Sequence, residues 1–129
     1  MVIDTSALVA ILKWEPEGHA FNDAIEQASE CLLSAASFVE ASIVIESSRG
    51  YDRLRDLDLF IATAGIEIVP VDSEQAYLAR EAFRRYGKGR HPAGLNYGDC
   101  FSYALAKARE LPLLFKGRDF PATDISPAV

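Results

Sequence analysis

A carboxylate stands between a strand-like pair and a helix-forming run at the start of the chain, in Met1-Val2-Ile3-Asp4-Thr5-Ser6-Ala7-Leu8-Val9-Ala10-Ile11-Leu12. Val2 and Ile3 are β-branched residues of the kind that a buried parallel strand uses. Thr5-Ser6 can then open a helix carrying Ala7, Leu8, Ile11 and Leu12. The carboxyl end of a first, central strand is where open α/β sheets place their ligands, so Asp4 is a candidate site residue. It is equally suited to N-cap the following helix, and the residues alone leave both roles open.

The same alternation continues along the chain. Glu17 to Ser29 has helical spacing, with Pro16 near its start and Phe21, Ala24, Ile25 and Ala28 on one stripe. Cys31-Leu32-Leu33 forms a second strand, and Ser37 to Ser48 a helix ended by Arg49-Gly50. Tyr51 to Ala64 is helical, and Ile66 to Val71 is a third strand. Ser73 to Tyr86 is a helix with Ala76, Tyr77, Ala79, Ala82 and Phe83 as its apolar side. Lys88 to Leu95 is a Gly/Pro loop, Asn96 to Glu110 the last long helix, and Leu111 to Phe115 a fourth strand that properly begins after Pro112. Gly117 to Val129 is turn-rich, with a short edge strand expected around Ile125. Strands alternating with helices give an α/β fold: a mostly parallel central sheet of about four to five strands with helices on both faces.

At 129 residues the chain suits one domain, residues 1–129. No apolar run approaches a membrane span, and Asp4 interrupts the only N-terminal candidate for a leader, so a soluble, cytoplasmic protein is expected. Cys31 and Cys100 lie far apart with no CxxC pattern and read as small core residues. A net charge of −6 argues against general adhesion to nucleic acid. Any nucleic-acid chemistry must be local, with acids gathered around a cation.

Three further acids fit that description, each with an ordinary alternative. Asp99 points away from the stripe Tyr97, Phe101, Ala104, Leu105 and Ala108, at about 100° per residue, and its neighbours there are the small Ser102 and Ala106. It is also the acid three residues after a cap, Asn96. Glu40 closes a capping-box pattern, Ser37-Phe38-Val39-Glu40, yet precedes an almost wholly apolar run, Ala41 to Ile45, where an unpaired acid would be costly. Asp119 follows the fourth strand, and Asp124 competes with it, although Asp124 better fits a turn residue. Asp4, Glu40, Asp99 and Asp119 all fall at strand ends or helix starts on one edge of a parallel sheet. Two carboxylates ~5 Å apart repel by roughly 3 kcal/mol at an effective dielectric of ~20. A cluster of acids needs a cation, and an all-oxygen set suits Mg²⁺ or Mn²⁺ over zinc.

Val2-Ile3-Asp4-Thr5-Ser6-Ala7, Ser37-Phe38-Val39-Glu40, Asn96-Tyr97-Gly98-Asp99-Cys100 and Gly117-Arg118-Asp119-Phe120 resemble, in order and spacing, the motifs of PIN-domain ribonucleases, in particular the VapC toxins of VapBC toxin–antitoxin pairs. The resemblance covers nearly the whole chain. It implies a PIN-like three-layer sandwich and an acidic site of Asp4, Glu40, Asp99 and Asp119, supported by Thr5 or Ser6 and by Asn96. Mg²⁺, with Mn²⁺ as an alternative, would be held by Asp4 and Asp99. RNA would be the substrate, with 5′-phosphate and 3′-hydroxyl products. It further implies a cognate VapB-type antitoxin, a homodimer and higher toxin–antitoxin assemblies. Arg118 departs from the small polar residue expected there.

The basic residues concentrate in Arg80, Arg84, Arg85, Lys88, Arg90 and His91, a candidate RNA contact or else a solvated helix face with Glu81 pairing Arg85. His91 reads as a loop residue, Lys13 as a solvated charge and Trp14 as a core or interface residue. A non-catalytic PIN-like module that binds RNA or protein is the rival reading. A phosphatase with Asp4 as nucleophile is disfavoured by Ser6, where a second aspartate would be needed.

Overall fold

The computed structural model describes residues 1–129. β1 (Val2–Ile3) passes through Asp4 into α1 (Thr5–Leu12), and α2 (Gly18–Gln27) follows. β2 (Leu32–Ser34) runs without a break into α3 (Ala35–Arg49). A 3₁₀ turn (Tyr51–Arg53) leads to α4 (Leu54–Ala64), then β3 (Glu67–Val69), α5 (Ser73–Tyr86), α6 (Tyr97–Arg109) and β4 (Leu113–Leu114). The strands form one four-stranded sheet in the order β3-β2-β1-β4, with every pairing parallel. The edge strand expected around Ile125 is reduced to one bridge, Leu113 with Pro127, because Ile125 itself turns into the core.

Because side chains alternate along a strand, the sheet divides the core in two. Val2, Leu32, Val69 and Leu113 pack against Ala79, Ala82 and Tyr86 of α5 and Tyr103 to Ala106 of α6. Ile3, Leu33 and Leu114 pack against Ala7, Leu8, Phe21, Ile25, Ala41, Leu57 and Ile61 on the other side. Helices therefore cover both faces, as expected for three layers. β1 is central, and the Asp4 amide donates to the Leu114 carbonyl at 2.9 Å, which fixes Asp4 at the carboxyl end of the sheet.

Several local expectations are corrected. α3 begins at Ala35 rather than Ser37, because Ser34 ends β2 and its hydroxyl caps the Ala36 amide. Ser37 is consequently inside the helix, and Ser37–Glu40 is not a capping box. Tyr51 to Ala64 is broken into a 3₁₀ turn and α4. Tyr77 and Tyr97, assigned to apolar stripes, are exposed, because α5 and α6 turn Gln75, Tyr86, Cys100 and Tyr103 inward instead. Trp14 is 87% exposed, so it is not a core residue.

Candidate active site

Asp4 is buried and held by three donors. Its Oδ2 accepts from the Ser6 amide at 3.0 Å and the Ser6 hydroxyl at 2.6 Å, and its Oδ1 accepts from the Ser102 hydroxyl at 2.6 Å. Asp4 does cap α1, as its position allows. Ser102 in turn meets Ser37 Oγ at 3.1 Å, and Thr5 Oγ1 donates to the Ser37 carbonyl at 3.2 Å, so α1, α3 and α6 are laced together beneath the carboxylate. Ser6 also accepts the Lys116 amide at 2.9 Å, tying the segment after β4 to the same point. Sequence did not identify Ser102 as the partner of Asp4, nor Ser37 as the residue behind it; the only signal was that Ser102 is small and shares the Asp99 side of α6. Hydrogen bonds to charged groups contribute ~1.5–3 kcal/mol. Ser102→Ala is therefore expected to lower stability by about that amount in chemical denaturation, more than Ser37→Ala, whose hydroxyl does not touch the carboxylate.

Glu40, freed from a capping role by the true start of α3, lies partly buried and reaches across to the first turn of α6, where its carboxyl packs against Gly98. Asp99 sits in the next position of that turn. Its Oδ2 accepts from the Asn96 amide at 3.0 Å while Asn96 Oδ1 accepts from the Asp99 amide at 2.9 Å, a complete capping box. The structural role foreseen for Asp99 is thus real, and it leaves Oδ1 unused. Burial pushes the Asp99 carboxyl up to about 7, with the bond from Asn96 opposing and the charges of Asp4, Asp119 and Glu40 adding to the rise. Four carboxylates from four segments of chain therefore share one electrostatic neighbourhood.

Asp119 is exposed at the start of a 3₁₀ turn (Phe120–Ala122), and its side chain makes no capping bond. Asp124 is committed elsewhere: its two oxygens accept from the Tyr103 hydroxyl at 2.7 Å and from Lys107 Nζ at 2.9 Å. Asp119, not Asp124, contributes to the field at Asp99.

The basic residues divide by what holds them. Arg84, not Arg85, pairs with Glu81, at 2.8 Å. Arg80 lies over the Tyr77 ring, Arg85 over Tyr86 and Arg90 over Phe83, at 4.8–5.3 Å from the ring centroids. Aromatic faces order these cations without neutralising them, so their charge remains available to a phosphate. Lys88 is exposed in the loop that leads to Asn96. His91 accepts the Ala93 amide on Nδ1 at 3.0 Å and packs edge-on against Tyr86, which is a loop-forming role.

No group of three or more His, Cys, Asp or Glu side chains is close enough together to hold a metal ion among them. The donor set still suits a hard cation that keeps much of its water. A carboxylate offers about four lone-pair sites. The three bonds to Asp4 leave a site on Oδ1, and the single bond to Asp99 leaves Oδ1 free.

The PIN domain family matches residues 1–126 of the chain. Ribonuclease VapC of Mycolicibacterium smegmatis is 56% identical over 126 residues, covering 98% of this chain and 98% of that protein. Ribonuclease VapC30 of Mycobacterium tuberculosis is 55% identical over 126 residues, covering 98% and 96%. The crystal structure of Mycobacterium tuberculosis VapC20, described as a Sarcin-Ricin loop cleaving toxin, superposes with a TM-score of 0.79 over 96% of this chain and 95% of that one. At 13% identity it shares the fold.

Proposed function

The chain belongs to the PIN-domain family, among the VapC ribonucleases, and from that membership we propose that it is a divalent-metal-dependent ribonuclease, the toxin of a toxin–antitoxin pair. The observation that carries this reading is the placement of Asp4, Glu40 and Asp119 around Asp99 at the carboxyl edge of the sheet, where the charges of all three bear on its carboxyl. Asp4 and Asp99 are the residues that would hold Mg²⁺, or Mn²⁺, through their remaining lone pairs. Such an ion would make a bound water more acidic and offset the negative charge that builds on the phosphoryl oxygens.

The rest of the chemistry falls to side chains. Ser6 and Ser102 keep the Asp4 carboxylate in one orientation. Asn96 does the same for Asp99. Glu40 and Asp119, free of strong partners, orient the attacking water and take its proton as oxygen adds to phosphorus, while the ribose 3′-oxygen leaves and takes a proton from solvent water. Arg80, Arg85, Lys88 and Arg90 supply local positive charge for the RNA backbone that the overall charge of −6 denies the rest of the surface.

An RNA-cleaving toxin requires restraint, and we assign that to a cognate VapB-type antitoxin. A groove of about 610 Å³ between α1, α2 and α4, lined by Ile11, Leu12, Trp14, Leu59 and Phe60, suits an apolar segment of such a partner. A basic side chain from it would meet the acids. The exposed Tyr97, which lines an apolar hollow of about 430 Å³ between α5 and α6, supports a homodimer through these helices, as does the exposed Tyr77 on α5. No helix is long and apolar enough to cross a membrane, and an RNA substrate accords with action in the cytoplasm.

Purified protein, free of any partner, is expected to cleave structured RNA such as tRNA or rRNA fragments with Mg²⁺ or Mn²⁺, to stop in EDTA and to resume when metal is restored. Equal cleavage in chelator would overturn the metal assignment. RNA binding without cleavage of any of these substrates would favour the non-catalytic module instead.

A further inference from the structure

Glycine is a poor helix former, yet the first turn of α6 carries one, Gly98, directly before Asp99. Its backbone gives no reason for the choice, because Gly98 is not among the positive-φ glycines. The reason lies in what stands beside it. A β-carbon at Gly98 would come within 2.6 Å of Cδ and Oε1 of Glu40, with Oε2 nearer still. These are the nearest atoms to that position, so the Glu40 carboxyl occupies the volume that any other side chain would begin to fill.

We propose that Gly98 is a positioning residue, left without a side chain so that Glu40, reaching over from α3, can rest its carboxyl against the first turn of α6 beside Asp99. The inference rests on the metal-dependent reading of the four acids and deepens it. Glu40 must approach other carboxylates, an approach that their mutual repulsion resists. It can be held there only if the neighbouring surface leaves room. A methyl group at position 98 would displace the end of a flexible side chain and leave the backbone where it is. The helix would be preserved, or improved, while the carboxyl moves away from the site.

The test compares the wild-type protein with Gly98→Ala, Glu40→Asp and the double variant. It measures thermal melting, Mn²⁺ affinity in the absence of RNA and kcat/KM for RNA cleavage. Gly98→Ala should melt no lower than wild type and lose ~10–100-fold in Mn²⁺ affinity or kcat/KM, the range for residues that orient a metal's ligands. In the Glu40→Asp protein the shorter acid no longer reaches Gly98, so adding Gly98→Ala should change either quantity by less than about twofold, the non-additivity of residues that act through one another.

An equal fold-loss in both backgrounds would overturn the proposal, since the methyl would then act without Glu40. A destabilised Gly98→Ala protein would also overturn it, placing something other than the carboxyl in that space. Undiminished function in Gly98→Ala would reject the role of Gly98 and leave the metal reading standing. A wild-type protein with neither Mn²⁺ binding nor metal-dependent cleavage would reject both.

Discussion

Asp99→Asn is expected to abolish RNA cleavage and, in metal-free protein at neutral pH, to raise the melting temperature. The two effects share one origin. Burial, and then the charges of Asp4, Asp119 and Glu40, lift the Asp99 carboxyl from 3.8 to about 7. The folded protein therefore holds a proton there that the unfolded chain has released over roughly pH 4–7. Where the folded state binds more protons, stability falls as pH rises, so wild type should weaken through that window and level off above it. The cost is on the order of 2 kcal/mol once residual solvent screening is allowed for. Asparagine carries no charge and still offers an oxygen to the Asn96 amide, so the cap survives while the pH-dependent loss disappears.

Metal should reverse the ranking. A ligand that binds only the folded state stabilises it in proportion to ln(1 + [L]/Kd). Mg²⁺ should thus raise the melting temperature of wild type and leave Asp99→Asn nearly unchanged. Melting curves from pH 4 to 8, with and without Mg²⁺, measure both slopes, and a cleavage assay on the same samples measures turnover. Normal turnover by the folded variant would reduce Asp99 to its capping role.

The parts of this molecule that were legible in sequence are those written in consecutive residues. Val2-Ile3-Asp4 followed by a helix-forming run specifies a βα junction, and the structure has one, with Asp4 at its end. Asn96 and Asp99 form the capping box that their spacing describes. The same pattern misled at Ser37–Glu40, because S-x-x-E matches whether or not a helix starts there. Ser34, at the end of a three-residue strand, was already the cap. The helical wheel on α6 placed Ala104 and Leu105 in the core and Ser102 on the Asp99 side, as found, and missed at Tyr97. A helix covered on several sides has no single apolar stripe, so Cys100 and Tyr103 could turn inward while Tyr97 faced outward. Contacts between distant segments, Ser102 with Asp4 and Glu40 with Gly98, leave no periodic trace in the chain, since they depend on how helices cross. Charge pairing was half legible: Glu81 was identified as an acid within reach of arginines, but side-chain geometry chose Arg84 at i+3.

Asp119→Asn and Asp124→Asn are expected to fail in opposite ways, although both lie in the same short C-terminal stretch. Asp119 is exposed and uncapped, and its charge reaches Asp99. Neutralising it should cost ~10–100-fold in metal affinity or turnover and change stability by no more than about 0.5 kcal/mol. Asp124 instead fastens the C-terminal segment to α6 through Tyr103 and Lys107. Burial alone would push its pKa up, but the bonds from Lys107 and Tyr103 outweigh that and hold the carboxyl below its ordinary 3.8. A depressed folded-state value means that Asp124 stabilises the protein above the usual carboxylate range and ceases to do so as pH falls through and below it. Burial, and then the bond to Asp124, pushes the Tyr103 hydroxyl up, so this phenol stays protonated as a donor. Replacing the charged acceptor with an amide should cost ~1 kcal/mol at neutral pH, the scale of one hydrogen bond, with turnover per folded molecule unchanged. The paired experiment is a Mg²⁺ titration of cleavage for each variant, alongside denaturation at pH 7. A larger catalytic defect in folded Asp124→Asn than in Asp119→Asn would move the fourth acid of the site to Asp124, against the hydrogen bonds that now engage both of its oxygens.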